Sequence, residues 1–545
     1  MEANGEIMAA TGRFERETER RAPGVRTLTA DSGTPRRPPV AEVAISLDRS
    51  SDIPVYRQIE QAIVAGIRSG HLRTGLRLPP ERALAQQLSV DRTTVVAAYR
   101  NLAGDGWVSA LVGRGTVITS KTAQQSGTTA ASESTTVFGW DEVLTPQPGD
   151  EPVLDDLAAA SLRPGLLSLA SGVPAAEGYP IAEFRSLLGD ALRQSGEALL
   201  QYAPAEGLPE LRDQIARTMR ARGAGITGDG VLICAGSQQG LYLLARALVV
   251  PGDTVAVEAP TYLGAVSVFR AADAHVVPLP RDRHGVDPLR LEALLARREV
   301  KLIYLLPTFQ NPTGETLDQT RRRQVLAVAA RHGVPIIEDD PYGELRYDGE
   351  PVPSMFQLAG PDGIVAYLST FSKVLFPGFR VGWVAGSVAL IERLRREKAL
   401  VDLDSNAVVQ AAVAEYLALG LLEDHLRAVR PVYRARRDAL VDGLLRGGNV
   451  PATWQLPEGG FSLWVELESG LRSRDVLREA MVRGVTFVPG DVFHVDGGGR
   501  SAMRLSFPAL TPDDLREAGG RLADAIRVEA GRRVSRSRPP ASRIV

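Results

Sequence analysis

The sequence is poor in cysteine and in net charge, and it has no long apolar run. Cys234 is the single cysteine among 545 residues, which excludes an internal disulfide framework and fits a reducing compartment. No apolar stretch approaches the roughly 20 residues that cross a bilayer, and the N-terminus lacks the apolar segment of a signal peptide. We therefore expect a cytoplasmic protein that is neither secreted nor embedded in a membrane.

The near balance of charge limits how the chain can contact nucleic acid. With 63 basic and 65 acidic residues the formal net charge is -2, so any such contact must come from a local patch. Hydrophobic residues make up 44% of the chain and charged residues 23%, which is typical of a soluble globular protein. The length predicts roughly three domain-sized units, although a large α/β domain can take up most of it.

Changes of composition divide the chain into five segments. Residues 1–44 mix charge, Pro, Gly and Thr without periodicity and predict a disordered leader or a misplaced start. Residues 119–154 are rich in Ser, Thr, Gln, Gly and Pro and predict a flexible linker. Between them, residues 45–118 predict a small domain, and residues 155–530 predict a large α/β domain. Residues 531–545 are basic, and we interpret them as a solvated tail rather than a DNA-binding arm.

The small domain has the apolar spacing of three short helices. The apolar residues of the first helix recur at three- and four-residue steps; they are Tyr56, Ile59, Ile63 and Ile67. A second helix is expected to start near Pro80, and a third is expected to bury Val95, Tyr99 and Leu102. Two short helices joined by a tight turn predict a helix-turn-helix.

The opposite side of the third helix carries side chains suited to DNA. Arg92 and Thr93 lie near its N-terminus, where they can reach phosphates and base edges in a major groove. Gly113-Arg114-Gly115 lies between two short strand candidates and predicts the tip of a wing. Composition alone leaves another alternative, a three-helix interaction module with an ordinary solvated face.

The ordered strings favour DNA binding. PVYRQIEQAI, LRLPPERALAQQLSVDRTTVVAAYRNLAGDGWV and GRGTVI closely resemble the winged-helix domain of the GntR family over its full length. Pro80 stands where many family members carry a serine, which removes one hydroxyl-to-phosphate contact. The resemblance implies that double-stranded promoter DNA is contacted by Arg82, Arg92, Thr93, Thr94, Arg114 and Gly115.

The large segment alternates continuous apolar runs with helical stretches. Five runs look like strands buried on both faces, which is typical of a parallel sheet; they begin at Val231, Thr254, Lys301, Pro335 and Ile364. Beyond about Asn406 the pattern becomes mostly helical, with strand candidates at FSLWVEL and AMRLSFP. The sequence therefore predicts a mostly parallel α/β domain with a smaller C-terminal α+β subdomain.

Several motifs follow these runs, at the edge where open α/β sheets bind ligands. Gly236-Ser237-Gln238 opens a helix whose backbone N–H groups can bind an anion such as a phosphate. Tyr262 would place an aromatic ring at the cleft, and Asn311, Asp339 and Tyr342 would bring an amide, a carboxylate and a phenol around one point. Each motif taken alone is also explained by turn chemistry or a helix cap.

Lys373 is the sharpest of these signals. It follows a buried strand, with Thr370 and Ser372 beside it, and Arg380 comes shortly afterwards in PGFRVGW. A lysine at such a strand end is seldom structural, because its ammonium must be held in a crowded, partly desolvated cleft. In combination, the motifs supply what pyridoxal 5'-phosphate requires.

Each role in binding this cofactor has a matching residue type. Lys373 can form the internal aldimine and shuttle a proton, and Asp339 would ion-pair with the pyridine nitrogen. Arg504 can hold a substrate carboxylate through two parallel hydrogen bonds. No metal ion is expected. The remaining cofactor ligands are Tyr342 and Asn311 for the ring hydroxyl, Tyr262 for stacking, Arg380, Thr370, Gly236, Ser237 and Gln238 for the phosphate, and Ser372 beside Lys373.

This set of residues, in this order, resembles the fold-type I aminotransferases of class I/II from about Leu167 to Val528. In such enzymes the tyrosine that matches Tyr202, in QYAPAEGLPELR, reaches the phosphate of the neighbouring subunit. The resemblance therefore implies a pyridoxal-phosphate-binding domain that forms a homodimer with its sites at the interface.

A GntR-type winged helix followed by this domain resembles the MocR-type regulators from about Val43 to Val528. The resemblance implies a transcriptional regulator that senses pyridoxal phosphate or an amino compound by aldimine formation. No catalytic position is visibly lost, so a working aminotransferase that carries a DNA-binding domain stays open as the alternative. A third hypothesis, a DNA-binding structural protein with a relic cofactor site, is disfavoured by the intact Lys373, Asp339 and Arg504.

Overall fold

The computed structural model describes residues 54–68, 75–104, 107–111, 115–119 and 165–537, with isolated positions at Val43, Ile45, Leu47, Leu72 and Val143. The chain divides into two units, Met1–Trp140 and Asp141–Val545, and each is described by itself. The predicted leader and linker lie almost entirely outside the described residues. The predicted wing tip, with Gly113 and Arg114, lies outside them as well.

The first unit has three helices followed by a hairpin. Its elements are α1 Val55–Arg68, α2 Glu81–Leu88, α3 Arg92–Gly104, β1 Val108–Leu111 and β2 Gly115–Ile118. The apolar stripes predicted from the spacing pack into one core, where Ile59, Ile63, Leu84, Val95 and Leu102 are almost fully buried. The three predicted helices are therefore confirmed.

The turn between α2 and α3 spans only three residues. Ser89 takes a left-handed conformation with φ 51°, and the Val90 N–H donates to the Ala85 carbonyl at 3.0 Å. The chain then enters α3 at Arg92, which completes the predicted helix-turn-helix. β1 and β2 pair antiparallel, with Val108 opposite Ile118, as predicted for the two strands of a wing.

The second unit contains most of the regular structure. Its strands are β3 Leu167–Ser168, β4 Val231–Cys234, β5 Thr254–Val257, β6 His275–Pro278, β7 Arg281–Asp282, β8 Gly285–Val286, β9 Leu302–Leu305, β10 Ile336–Asp339, β11 Val365–Thr370, β12 Gly382–Ala385, β13 Ala452–Trp454, β14 Ser462–Leu467, β15 Val485–Thr486, β16 Val488–Pro489 and β17 Ala502–Ser506. Its helices are α4 Ile181–Leu199, α5 Pro209–Ala221, α6 Ser237–Leu248, α7 Leu263–Ala271, α8 Pro288–Arg297, α9 Gln319–Arg331, α10 Met355–Ala359, α11 Val388–Ala399, α12 Ala407–Ala418, α13 Leu421–Leu445, α14 Ser473–Val482 and α15 Pro512–Ser537.

A seven-stranded sheet forms the centre of this unit, in the order β4-β12-β11-β10-β9-β5-β6. β12 is antiparallel to both of its neighbours, β11 and β4, and the other neighbouring pairs are parallel. Every residue of β4, β9, β10 and β11 is buried. Successive residues enter opposite core clusters, as Ile303 and Leu302 do, so both faces of the sheet are covered. This arrangement confirms the strands predicted from continuous apolar runs.

The C-terminal part forms the smaller subdomain that the sequence predicts. Its antiparallel sheet has the order β13-β14-β17-β16, and a separate apolar cluster includes residues of α13, α14 and α15. α15 continues to Ser537, so residues 531–537 of the predicted tail are helical. Arg532 forms ion pairs there with Glu479 and Glu529, so these carboxylates balance its charge on the helix.

Two further properties concern membranes and metals. Across the ranges given above, every helix is too short or too polar to span a membrane. Within the same ranges, no group of three or more His, Cys, Asp or Glu side chains is arranged to hold a metal ion.

Candidate functional site

The predicted site residues of the second unit gather where the parallel strands end. Asp339 and Thr370 are the last residues of β10 and β11, and Gly236 follows shortly after β4. In the sheet, Thr370 is paired with Gly382, and Gly382 is paired with Cys234. The loops that leave β11 and β4 therefore start at the same level, although more than a hundred residues separate them in sequence.

Lys373 lies in the loop that leaves β11. Its Nζ donates to the Gly172 carbonyl at 2.9 Å. Burial, with Arg504 and Arg380 nearby, lowers the pKa of Lys373 to about 8, and Asp339 opposes part of this effect. A lowered pKa supplies the neutral amine near neutral pH, which is the form that can attack a carbonyl carbon.

Asp339 is a buried carboxylate with one oxygen unpaired. The Tyr304 hydroxyl donates to Oδ2 at 2.6 Å, whereas Oδ1 has no hydrogen-bond partner. Burial raises the pKa of Asp339 to about 7. Because an unpaired buried oxygen is costly, this geometry favours a ligand that brings an N–H donor to Oδ1.

The turn after β4 favours glycine at position 236, because its backbone is left-handed and Arg380 lies close to it. Gly236 has φ 87°, and a Cβ there would lie 2.5 Å from Nη2 of Arg380. Nη2 donates to the Ala235 carbonyl at 3.0 Å, and α6 begins at Ser237. A guanidinium beside the backbone N–H groups of a helix start is a site suited to a phosphate.

Thr370 and Ser372 fix the short loop that leads to Lys373. Thr370 Oγ1 lies 2.9 Å from Ser372 Oγ and 3.0 Å from the Val381 carbonyl, and it accepts from the Ser372 N–H at 3.1 Å. Both side chains are buried. Their hydroxyl groups are therefore held in place before any ligand binds.

The residues predicted to contact the cofactor ring have different partners. Tyr262 donates to Gln238 Oε1 at 3.0 Å, and burial, followed by Asp339, raises the pKa of Tyr262. Burial also raises the pKa of Tyr342. Asn311 Oδ1 accepts from Arg504 at 3.0 Å. The structure thus brings the predicted ring ligands to the same edge of the sheet as Asp339.

Arg504 reaches this edge from β17 of the small sheet. Its Nη1 binds Asn311, and its Nη2 donates to the Ala170 carbonyl at 2.7 Å. Its Nε is buried without a partner, and burial lowers the pKa of Arg504. An unpaired guanidinium N–H is suited to a carboxylate, which agrees with the role predicted for Arg504.

Three contributions were missed by the sequence analysis, namely the Tyr304 hydroxyl and the carbonyls of Ala170 and Gly172. Tyr304 meets Asp339 because β9 lies beside β10, with Tyr304 opposite Ile337. A tyrosine within the aliphatic run KLIYLLP was the available signal, since a buried hydroxyl requires a partner. Backbone carbonyls carry no side-chain signal.

Tyr202 stands apart from this group, because its side chain is 83% exposed. Gln238 is also exposed, although its amide bridges Tyr262 and the Gly264 carbonyl. The other predicted cofactor ligands are wholly or partly buried in the second unit, apart from Arg380, which is exposed at the phosphate turn.

The candidate DNA contacts of the first unit lie on its surface. Arg82, Arg92 and Thr93 are exposed, and Thr94 is half-buried. The Arg92 guanidinium donates to the Glu81 carboxylate at 2.9 Å, and the Thr93 N–H donates to Asp91 at 2.7 Å. Gly115 begins β2, whereas Arg114 lies outside the described residues. A DNA contact from Arg92 would therefore require the guanidinium to exchange this internal partner.

Comparisons with known proteins match both units. Residues 164–522 match the family "Aminotransferase class I and II", and residues 55–118 match "Bacterial regulatory proteins, gntR family". The probable rhizopine catabolism regulatory protein MocR of Rhizobium meliloti is 31% identical over 486 residues, which cover 88% of this chain and 95% of that protein. The 2-aminoadipate transaminase of Thermus thermophilus is 36% identical over 374 residues, which cover 68% of this chain and 93% of that protein.

Solved aminotransferase structures resemble most of the chain. The multiple substrate aminotransferase from Thermococcus profundus has a TM-score of 0.69 at 34% identity, and the match covers 72% of this chain and 100% of that one. The α-aminoadipate aminotransferase LysN from Thermus thermophilus, complexed with N-(5'-phosphopyridoxyl)-L-leucine, has a TM-score of 0.66 at 33% identity, with the same coverage. These matches confirm the fold predicted for the large α/β domain.

Proposed function

The chain belongs to the class I and II aminotransferase family and, with its gntR-type domain, to the MocR-type regulators, and we propose on this basis how it responds to a ligand. It is a pyridoxal-phosphate-dependent transcriptional regulator that binds DNA. We propose that the second unit binds an amino compound at Lys373 and that this binding changes the affinity for promoter DNA. Such a regulator acts on chromosomal DNA, so we place it in the cytoplasm.

The observation that carries the proposal is the unpaired Oδ1 of the buried Asp339. Pyridoxal phosphate fits this site, because its pyridinium N–H would supply the missing donor. Its phosphate would be held at the turn of Gly236 and Arg380, and its aldehyde carbon by Nζ of Lys373. Each group of the cofactor therefore meets a residue of complementary chemistry.

When bound, the cofactor supplies an electrophilic carbon and an electron-withdrawing ring. The residues around the site would hold and orient these groups. Asp339 would hold the proton on the ring nitrogen, since a carboxylate beside it favours the protonated form. Lys373, with its pKa lowered to about 8, holds or gives up a proton near neutral pH. Arg504 would orient the carboxylate of an amino compound through its unpaired Nε.

An exposed apolar patch supports a homodimer. Its members lie on two segments and are 56% to 83% exposed; they are Leu200, Tyr202, Leu400 and Leu403. The two segments adjoin, because the Ala203 N–H donates to Asp404 Oδ2 at 3.0 Å. Exposed apolar side chains on adjoining segments are typical of a subunit interface. In this dimer Tyr202 would reach the phosphate of the neighbouring subunit.

A working aminotransferase that carries a DNA-binding domain is the second candidate function. It is favoured by the intact Lys373, Asp339 and Arg504 and by the transaminase relatives. Such an enzyme would move an amino group from an amino acid to a 2-oxo acid and regenerate its cofactor. Turnover with a 2-oxo acid therefore distinguishes the two functions.

Thermodynamic reciprocity gives the test of the regulator. If an amino compound changes the affinity for DNA, then DNA changes the affinity for that compound by the same factor. We would select a binding duplex from a random pool and titrate amino acids and amines against the cofactor-loaded protein, with and without that duplex. The cofactor absorbance reports compound binding, and we expect a coupling of about 1 to 3 kcal/mol.

Arg504→Lys is the control for this titration, because it keeps the charge and loses the planar guanidinium that holds a carboxylate. It should weaken the binding of amino acids more than that of simple amines. Should every compound that alters the cofactor spectrum leave DNA affinity unchanged while a 2-oxo acid is converted, the enzyme would replace the regulator as the proposed function.

A further inference from the structure

A chain of polar side chains connects the phosphate turn with α11. Gln239 accepts from the Ala235 N–H through Oε1 at 2.7 Å and donates from Nε2 to Asp402 Oδ2 at 2.7 Å. Asp402 Oδ1 accepts from Lys398 Nζ at 2.9 Å. We call Lys398, Asp402 and Gln239 the phosphate-turn relay.

Lys398 is an unusual residue for its position. The sequence has four lysines, and Lys398 is fully buried, which is rare for this residue type. Its partner Asp402 has a side chain that is 25% exposed, and such a pair adds little net stability, because desolvation of the buried ammonium offsets the attraction between the charges. Packing alone therefore does not explain a lysine here.

The relay also fixes the orientation of the Gln239 side-chain amide. A carboxylate only accepts hydrogen bonds, so Asp402 requires the NH2 group of Gln239. The amide oxygen must then face the Ala235 N–H. With Lys398 on its other oxygen, Asp402 is held in the orientation that makes this bond.

Ala235 lies at the centre of the phosphate turn. Its N–H is held by Gln239, and its carbonyl accepts from Arg380 at 3.0 Å. Fixing both peptide groups of Ala235 sets the direction of the chain into Gly236 and Ser237, where α6 begins. The relay therefore acts on the same backbone that offers N–H groups to a phosphate.

We propose that Lys398, Asp402 and Gln239 are positioning residues for the phosphate of the cofactor. They set the backbone of residues 235–237 and do not touch the ligand themselves. The inference rests on the proposed function in one respect, namely that this turn binds the phosphate of pyridoxal phosphate.

The test compares two ligands that differ only in the phosphate. Asp402→Asn keeps the shape of the side chain but leaves a single acceptor oxygen, so it cannot accept from Lys398 and Gln239 together. The affinities of the cofactor-free full chain for pyridoxal phosphate and for pyridoxal are measured by absorbance titration. We expect the affinity for pyridoxal phosphate to fall about 2- to 30-fold and the affinity for pyridoxal to stay unchanged.

Two further variants control for folding. Lys398→Met with Asp402→Leu removes both charges, leaves no unpaired buried ammonium and offers Gln239 no acceptor, so it should show the same selective loss. Glu397→Gln is the matched control, because this neighbouring carboxylate is only 9% exposed and pairs with Arg393 at 2.7 Å outside the relay. It should alter the melting temperature without changing the ratio of the two affinities.

Equal losses of affinity for pyridoxal phosphate and pyridoxal would overturn the inference, since they would indicate a general structural role. Unchanged affinities in both Asp402→Asn and the double variant would overturn it as well. A wild-type chain that binds neither compound would refute the proposed function first, and the inference with it.

Discussion

The two units place their candidate functional side chains in opposite environments. In the first unit Arg82, Arg92 and Thr93 are exposed above an apolar core. In the second unit Asp339 and Arg504 are buried or nearly so, and burial shifts their pKa values. A DNA-binding surface uses charges that water also solvates, whereas a buried site holds polar groups at a cost to folding.

Because of this difference, we expect substitutions in the two units to have different effects on stability. On the exposed surface, a change should affect DNA affinity and leave stability nearly unchanged, because surface substitutions cost little. In the buried site, a change should affect ligand binding and stability together, often with opposite signs, because unpaired buried groups oppose folding until a ligand binds.

The largest effect is expected at Lys373. Lys373→Ala should abolish the visible absorbance of covalently held pyridoxal phosphate, because it removes the amine that holds the aldehyde carbon. The variant should stay folded, since it also removes a desolvated ammonium. Absorbance spectra and thermal melts measure both properties.

The exposed Lys301 provides the control, and Lys301→Ala should keep the absorbance band. A band that survives in Lys373→Ala would move the covalent site to another lysine. A wild-type protein that remains colourless at saturating pyridoxal phosphate would count against the cofactor itself.

A smaller effect, dependent on pH, is expected at Asp339. Burial raises its pKa from 3.8 in the unfolded chain to about 7 in the folded protein. The stability contributed by the protonated form is therefore complete below pH 3.8 and is lost as the pH rises to about 7. Asp339→Asn should make the cofactor-free protein more stable than wild type at pH 8, by roughly 2 to 4 kcal/mol, and not at pH 4.

Pyridoxal phosphate should reverse this difference at pH 8, because the Asp339 carboxylate then pairs with the pyridinium. Glu258→Gln is the matched control, since burial raises the pKa of Glu258 to about 7 as well and Glu258 is outside the predicted ligand set. It should give the same pH dependence without reducing cofactor affinity. Equal loss of cofactor affinity in both variants would contradict the role of Asp339.

The smallest effect is expected on the exposed surface, at Arg92. Arg92→Ala should weaken DNA binding by roughly 1 to 3 kcal/mol and relax sequence preference if the guanidinium binds a base edge. If it binds only phosphate, affinity should fall equally on all duplexes. Affinity measured on selected and scrambled duplexes separates these outcomes, and the melting temperature should barely change.

Glu81→Gln tests the exchange of partners that Arg92 requires. The variant releases Arg92 from its ion pair and removes a negative charge, so DNA affinity should stay the same or rise. Unchanged DNA affinity in Arg92→Ala would remove Arg92 from the interface and weaken the contrast between the two units.

Much of the molecule follows from local patterns in the sequence. The spacing of Ile59 and Ile63 predicted α1, and the continuous apolar runs predicted β9 and β10, because periodicity reports which faces are buried. Lys373, Asp339 and Arg504 were found because each stands at the end of a predicted strand or within one. Their ligand roles, the domain boundaries and the contribution of Arg114 stay predictions.

Other features depend on which elements become neighbours. Tyr304 meets Asp339, 35 residues away, because β9 pairs with β10, and Gln239 meets Asp402, 163 residues away. The lowered pKa of Lys373 likewise requires burial beside Arg504 and Arg380. The apolar spacing in the sequence predicts which residues face the core. Which buried polar groups contact each other depends on the tertiary structure, because periodicity specifies the buried face of an element and not the element that packs against it.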